Sequence, residues 1–300
     1  MRNFAAFIMT FERPDILLST ISKIKDQSSP PDKILIVDNS FSDGTEVAIN
    51  KLNDVSVQYY KMGYNAGPAG AAKTGLQILT EEDYDWIFWG DDDDPPTDRD
   101  AFKRLFSMAD RIPDTKIGAI GTVGGFFNRY TARVSVVKNE QVTKEFTKVD
   151  QIPGGHNFIV NSQVVKEGVL PTAKLFFGFE ELDFCLKMKN KGFNLYIDGE
   201  RILNNRIKAG YSNPSYKWKS KGFGKKGALE RNYYSIRNMN HILYSNKNII
   251  ALLYSFSKNM LKAIFGFTYG LNYGRKNLSI IFIAYKDTIL NRYGKRTQKK

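Results

Sequence analysis

Four short apolar runs punctuate the first 100 residues, and a stretch of helical or turn character separates each from the next. Residues 4–9, 33–37, 55–60 and 85–89 read as strands, and 14–24, 42–49 and 66–79 as helices, with Ser42 as the cap of the second. This alternation predicts an α/β fold with a mainly parallel sheet. Its loops gather at the strand C-terminal ends, where such folds bind ligands. Residues 117–197 are less regular and predict mixed strands, ligand-facing loops and one acidic helix at 179–189. The composition shifts near Pro214, where KWKSKGFGKKG leads into helical runs at 229–243, 249–267 and 278–290.

Charge divides the chain at the same place. The net charge is +13, yet residues 216–300 carry 18 basic and 2 acidic residues, against 26 and 29 in the remainder. A segment so basic points to an anionic partner, membrane lipid or nucleic acid. No apolar run reaches the ~18 residues of a membrane-spanning helix, and the N-terminus does not read as a signal peptide. The single cysteine, Cys185, excludes an internal disulfide and fits a reducing compartment. The chain is therefore expected to be cytoplasmic or peripheral.

Two acidic segments carry the chemistry. In WIFWGDDDDPP an apolar strand delivers Asp91, Asp92, Asp93 and Asp94 and stops at two prolines. Adjacent carboxylates repel one another unless a cation sits among them, and hard oxygen ligands on a loop suit Mg²⁺ or Mn²⁺. In FFGFEELDFCLKMK, Glu180, Glu181 and Asp183 crowd a helix start, where the macrodipole favours negative charge and a general base has a place. Asp38 ends the second strand, where a carboxylate accepts hydrogen bonds from a base or ribose. GYNAGPAGAAKTG brings glycines to a helix N-terminus, whose amides can face a phosphate. His156 and His241 are isolated, with no Cys/His cluster and no nucleophilic triad.

Taken in order, these segments resemble family 2 glycosyltransferases of the GT-A fold, and most closely the bacterial rhamnosyl- and galactofuranosyltransferases of surface-polysaccharide assembly. IMTFERPDILLSTISKI is similar to the family's first strand and helix, which implies Thr10 and Arg13 near the nucleotide. VDNSFSDGT implies Asp38 on the base or ribose. YNAGPAGAAKTGL implies Asn65, Gly67 and Gly70 along the diphosphate or sugar. WGDDDDPP resembles the DDD-x-x-P stretch, implying Asp93 with Asp91 or Asp92 in a metal- and nucleotide-binding D-x-D element. FFGFEELDFCLKMKNKGF implies Glu181 as the catalytic base, with Glu180 and Asp183 beside it. YYSIRNMNHIL and YKDTILNRYGK also resemble this subgroup. The sequence departs from the pattern at Glu12, Pro68 and Asp94, and ILNNRIKAG lacks the histidine often found after the acidic segment.

The resemblance implies a GT-A catalytic domain over 1–215, with a nucleotide half to about 100 and an acceptor half beyond, and a basic helical region over 216–300. It implies inverting, metal-dependent transfer from a UDP- or dTDP-sugar to a glycan or lipid-linked glycan. The basic region would dock on the anionic inner face of the plasma membrane, the alternative being that 249–290 packs on the catalytic domain or pairs two copies of the chain. Three rivals fit less well. A nucleic-acid binder leaves the aspartate run without a purpose and shows no groove-reading element. A sugar-nucleotide pyrophosphorylase needs a Gly-rich basic loop after the first strand, where MTFERP stands. A non-catalytic nucleotide-sugar sensor or basic-tail binding protein has no need of both acidic segments.

Overall fold

A computed structural model describes residues 3–142, 145–155, 157–208 and 229–296. The elements run β1 (Phe4–Thr10), α1 (Pro14–Lys25), β2 (Lys33–Asp38), α2 (Gly44–Leu52), β3 (Val57–Lys61), α3 (Gly67–Glu81), β4 (Trp86–Asp91) and α4 (Ala101–Arg111). Then follow β5 (Ile117–Gly121), the hairpin β6 (Gly125–Asn128) and β7 (Arg133–Val136), β8 (Phe146–Val149), β9 (Ile159–Asn161) and α5 (Gln163–Lys166). The chain continues through α6 (Glu180–Asn190), β10 (Asn194–Asp198), α7 (Gly199–Lys208), α8 (Leu229–Ser245), α9 (Ile249–Phe265) and α10 (Leu271–Ile289).

Eight strands form one sheet in the order β3-β2-β1-β4-β9-β5-β10-β8. β9 runs antiparallel to β4 and β5, and β8 antiparallel to β10; the remaining pairs are parallel. This mixed, mainly parallel sheet flanked by helices is the GT-A fold. β1 is buried along its whole length, because helices cover both faces of the sheet. Phe7 packs with Trp89, Phe158 and Phe184 on one face, and Phe4 and Ile8 with Phe88 and Phe102 on the other. The register pairs Met9 with Asp91 and Thr10 with Asp38, so three parallel strands end together and their terminal polar residues share one edge.

The fold differs from expectation in two local details. Ser42 does not cap α2; its hydroxyl bonds Glu12 instead, and Asp43 precedes the helix without a side-chain cap. The last helix begins at Leu271, not 278, and runs through Gly274, where a Cβ would strike the Phe267 ring. KWKSKGFGKKG and Pro214 lie outside the described residues. Among the described residues no helix is long and apolar enough to cross a membrane. α8 and α9 share a small core with Leu182 of α6 and Ala132 of the hairpin turn, so the C-terminal helices abut the acidic helix.

Candidate active site

The aspartate run divides its labour. Asp92 is the buried anchor: its carboxylate accepts the Thr10 hydroxyl at 2.7 Å and a guanidinium N–H of Arg13, while its carbonyl accepts the Thr20 hydroxyl at 2.5 Å. Asp93 points outward, half-exposed, and takes the other arm of Arg13 at 2.7 Å. Arg13 thus bridges two successive aspartates and keeps 44% of its side-chain surface open. Thr10 meets Asp92 and has 3% of its surface exposed, so its part in a site is to hold the aspartate loop. Thr20, on α1, does the same work and carries no sequence signal beyond its helix.

Asp91, at the end of β4, looks toward the second acidic segment. A Cβ added at Gly154 would lie 2.5 Å from Glu181 Oε1 and 3.5 Å from Asp91 Oδ2, so the two carboxylates converge over this glycine. The Gly154 amide donates to Glu181 Oε1 at 3.3 Å. Both residues are half-buried and reachable from solvent. Burial, then repulsion from Glu181, Asp93 and the other aspartates, pushes Asp91 up to about 7. Burial raises Glu181 as well, against the Gly154 hydrogen bond. Glu180 is driven well above the carboxylate range by burial and by Glu181, and its Oε2 is buried without a hydrogen-bond partner. Asp183 stands apart: Oδ2 accepts the Thr172 amide at 3.0 Å and Lys187 at 2.8 Å, which pins the preceding loop.

The loop into α6 is bent through three left-handed residues, Phe176 (φ 67), Gly178 (φ 84) and Phe179 (φ 69). Such a backbone persists only when its surroundings hold it. Asn238 of α8 donates to the carbonyls of Leu175, Phe177 and Gly178 at 3.0, 2.9 and 2.9 Å. Arg237, buried to 1%, donates to the Leu175 carbonyl at 2.8 Å and to that of Gly294 at 2.9 Å. These two residues lie within YYSIRNMNHIL, but the sequence does not reveal that they hold the acidic loop.

The nucleotide half is ordered by its own side chains. Asp38 is wholly buried; its oxygens accept the Ser40 amide at 2.8 Å and the Tyr59 hydroxyl at 2.9 Å. A direct contact from Asp38 to base or ribose therefore has no open surface in this structure, and the residue shapes the turn after β2. Asn65 Oδ1 accepts the Gly67 amide at 3.0 Å, and Asn39 Oδ1 accepts the Ala66 amide at 3.0 Å. Gly67 (φ +68) and Gly70 are buried packing positions; a Cβ at Gly67 would collide with the Phe176 carbonyl. Glycine at 67 thus lets α3 approach the loop that carries the glutamates. His156 lies outside the described residues, and His241 bonds the Tyr293 hydroxyl at 3.1 Å.

The sequence profile described as Glycosyl transferase family 2 matches residues 5–169, more than half the chain. The chain belongs to glycosyl transferase family 2. No curated protein matches this family 2 glycosyltransferase in sequence. Among solved structures, it is similar to the mannosyltransferase PcManGT from Pyrobaculum calidifontis in complex with GDP-Man and Mn²⁺, at 12% identity and TM-score 0.54, over 97% of this chain and 88% of that one. It is also similar to S. aureus TarS 1-349 in complex with UDP, at 13% identity and TM-score 0.52, over 100% and 94%. GalNAc-T7 with UDP, GalNAc and Mn²⁺ matches at 12% identity and TM-score 0.53, over 65% and 42%.

Proposed function

We propose that the chain is an inverting, divalent-metal-dependent glycosyltransferase. It moves rhamnose or galactofuranose from a dTDP- or UDP-sugar to a lipid-linked glycan of a cell-surface polysaccharide, at the inner face of the plasma membrane. The convergence of Asp91 and Glu181 at the strand edge carries this reading. Neighbours of the same fold bind GDP-Man with Mn²⁺, or UDP, and this supports a nucleoside diphosphate at that edge.

The residues fit a hard cation that arrives with the substrate. Asp91 and Glu181 are crowded carboxylates whose mutual repulsion a cation would relieve, and Glu180 Oε2 is buried without a hydrogen-bond partner. Among the described residues no three such groups form a closed metal cage. Mn²⁺ or Mg²⁺ commonly takes one or two carboxylates and completes its shell from phosphates and water. We assign Asp91 and Asp93 to hold it. When bound, the cation supplies Lewis-acid stabilisation of the diphosphate leaving group.

The chain's own groups do the rest. Asp92, fixed by Thr10 and Thr20, sets the height of the aspartate loop. Arg13 sits on two aspartates with open surface, a cation placed to turn toward a diphosphate. Glu181 takes the proton of the acceptor hydroxyl as that oxygen attacks the anomeric carbon. Its raised affinity for a proton suits a general base. Asn65, which holds the turn into α3, and Gly67 and Gly70, which pack behind it, position that turn toward the diphosphate and sugar.

Melting curves with UDP, dTDP, GDP and CDP, each with and without Mn²⁺, test the donor site. Ligand binding raises stability by mass action, so one diphosphate is expected to stabilise the chain selectively and only with metal. No shift with any of the four at millimolar concentration would overturn the transferase reading.

A further inference from the structure

α8, α9 and α10 line a partly open cavity of about 180 Å³. Its walls are polar: Lys258 and Lys262 come from α9 with Ser255 and Asn259, Ser235 from α8 and Asn277 from α10. Asn259 donates to the Tyr285 hydroxyl at 3.0 Å and Asn277 to the Lys262 carbonyl at 2.9 Å, so the donors left to the cavity are the lysines and the serines. No carboxylate lines it. Ala132 forms part of the rim, and its neighbour Arg133 adds a third positive charge. Among the described residues neither lysine nor Arg133 has a carboxylate partner. The segments outside the described residues contain no Asp or Glu. Burial, then repulsion from Lys262 and Arg133, holds Lys258 below the usual lysine range, while Lys262 is exposed. Three cations gathered without a counter-charge around amide and hydroxyl groups call for an anion.

Two further observations fix its kind. Phe179, the residue before Glu180, is part of the cavity wall, so the pocket abuts the start of the acidic helix. Beside the lysines on α9 runs an exposed apolar stripe of Ile250, Leu253, Leu261 and Ile264, each more than half-exposed. A phosphate in the cavity would leave an attached apolar chain lying along that stripe. We infer that the cavity between α8, α9 and α10 is the site for the phosphate of a lipid phosphate that carries the acceptor. The inference rests on the reading of the chain as a glycosyltransferase with a lipid-linked acceptor, and it places carrier recognition next to Glu181.

The test is calorimetric titration of the full chain, in chelator to keep metal–diphosphate binding out, with inorganic pyrophosphate and with a short-chain alkyl phosphate below its micelle concentration. Flotation on phosphatidylcholine vesicles with and without phosphatidylglycerol runs alongside. Both soluble probes are expected to bind saturably, the alkyl phosphate more tightly. K258A/K262A should weaken both at least about tenfold without lowering the melting temperature, while K258R/K262R retains them. Flotation on the anionic vesicles, spread over the wider basic surface, should change less than about twofold. Equal binding by parent and K258A/K262A, or no binding of either probe, overturns the site. Loss of flotation with unchanged soluble binding would assign the lysines to bulk headgroups and overturn it too. No sugar donor is needed, so a chain that turns over donor yet binds neither probe defeats the cavity alone.

Discussion

Asn238, in the middle of α8, donates its side-chain amide to the carbonyl of Gly178 at 2.9 Å, two residues before the first glutamate of α6. The same amide nitrogen reaches the carbonyls of Leu175 and Phe177. A helix from the C-terminal region thereby holds a loop with three left-handed residues and fixes where α6 starts.

Replacing Asn238 by alanine removes the donor from three carbonyls and leaves the bent loop without its clamp. Loss of a buried partner costs about 1–3 kcal/mol, read as a lower denaturant midpoint. Because the glutamates ride on this loop, turnover should fall by about tenfold or more at saturating donor, as misplacement by about an ångström does, with donor KM little changed. A variant that loses stability but keeps kcat would show the clamp to be structural only.

Gly67 and Phe176 meet where α3 passes the same loop. At φ +68 and against the Phe176 carbonyl, alanine at 67 is both strained and obstructed. Gly67→Ala should destabilise by more than the roughly 1 kcal/mol of an unobstructed left-handed alanine, and it should lower transfer by pushing the 176–179 loop. Thermal melts and turnover check the two effects separately. Unchanged melting would mean that the loop yields without cost.

Much of this was legible in the sequence, and the limits have physical causes. The strands of the nucleotide half announced themselves because buried parallel strands are continuous apolar runs between helices. The two acidic segments stood out because carboxylates crowded side by side repel one another and call for a compensating cation or a raised proton affinity. What could not be read was which lone pairs the protein keeps for itself. Asp38 and Asp92 look alike at strand ends, yet one is sealed by Ser40 and Tyr59 and the other is spent on Thr10, Thr20 and Arg13. Those partners lie far off in sequence or carry no signal. Arg237 was hidden differently, since an arginine on an amphipathic helix reads as solvated, and only tertiary contact puts it inside.

The raised affinity of Asp91 for a proton gives a stability signature. Its carboxyl sits at about 7 against an ordinary 3.8. The folded state therefore holds the proton more tightly than the unfolded one. This contribution is present at low pH and lost as pH rises from about 4 through about 7. Glu180 and Glu181 shift the same way. Each such group tilts stability by at most about 1.4 kcal/mol per pH unit. Without metal, melting temperature should fall across this window, and Asp91→Asn should flatten the slope. Mn²⁺ needs the deprotonated carboxylate, so its stabilisation should be larger at pH 7.5 than at pH 5 and absent in Asp91→Asn. A flat metal-free profile in the parent chain would remove the basis for this coupling.

Glu181 and Asp91 share the space over Gly154 but are assigned different work, and substitution separates them. Glu181→Gln keeps the shape and the Gly154 hydrogen bond while removing the base. Transfer should drop by about 10²–10⁴-fold, while the melting shift given by nucleoside diphosphate and Mn²⁺ persists. Asp91→Asn should lose that shift together with transfer. If Glu181→Gln turned over normally, the base would have to be sought elsewhere. Glu180, buried with an unpartnered oxygen, is the next carboxylate in line, and Glu180→Gln would then carry the kinetic loss.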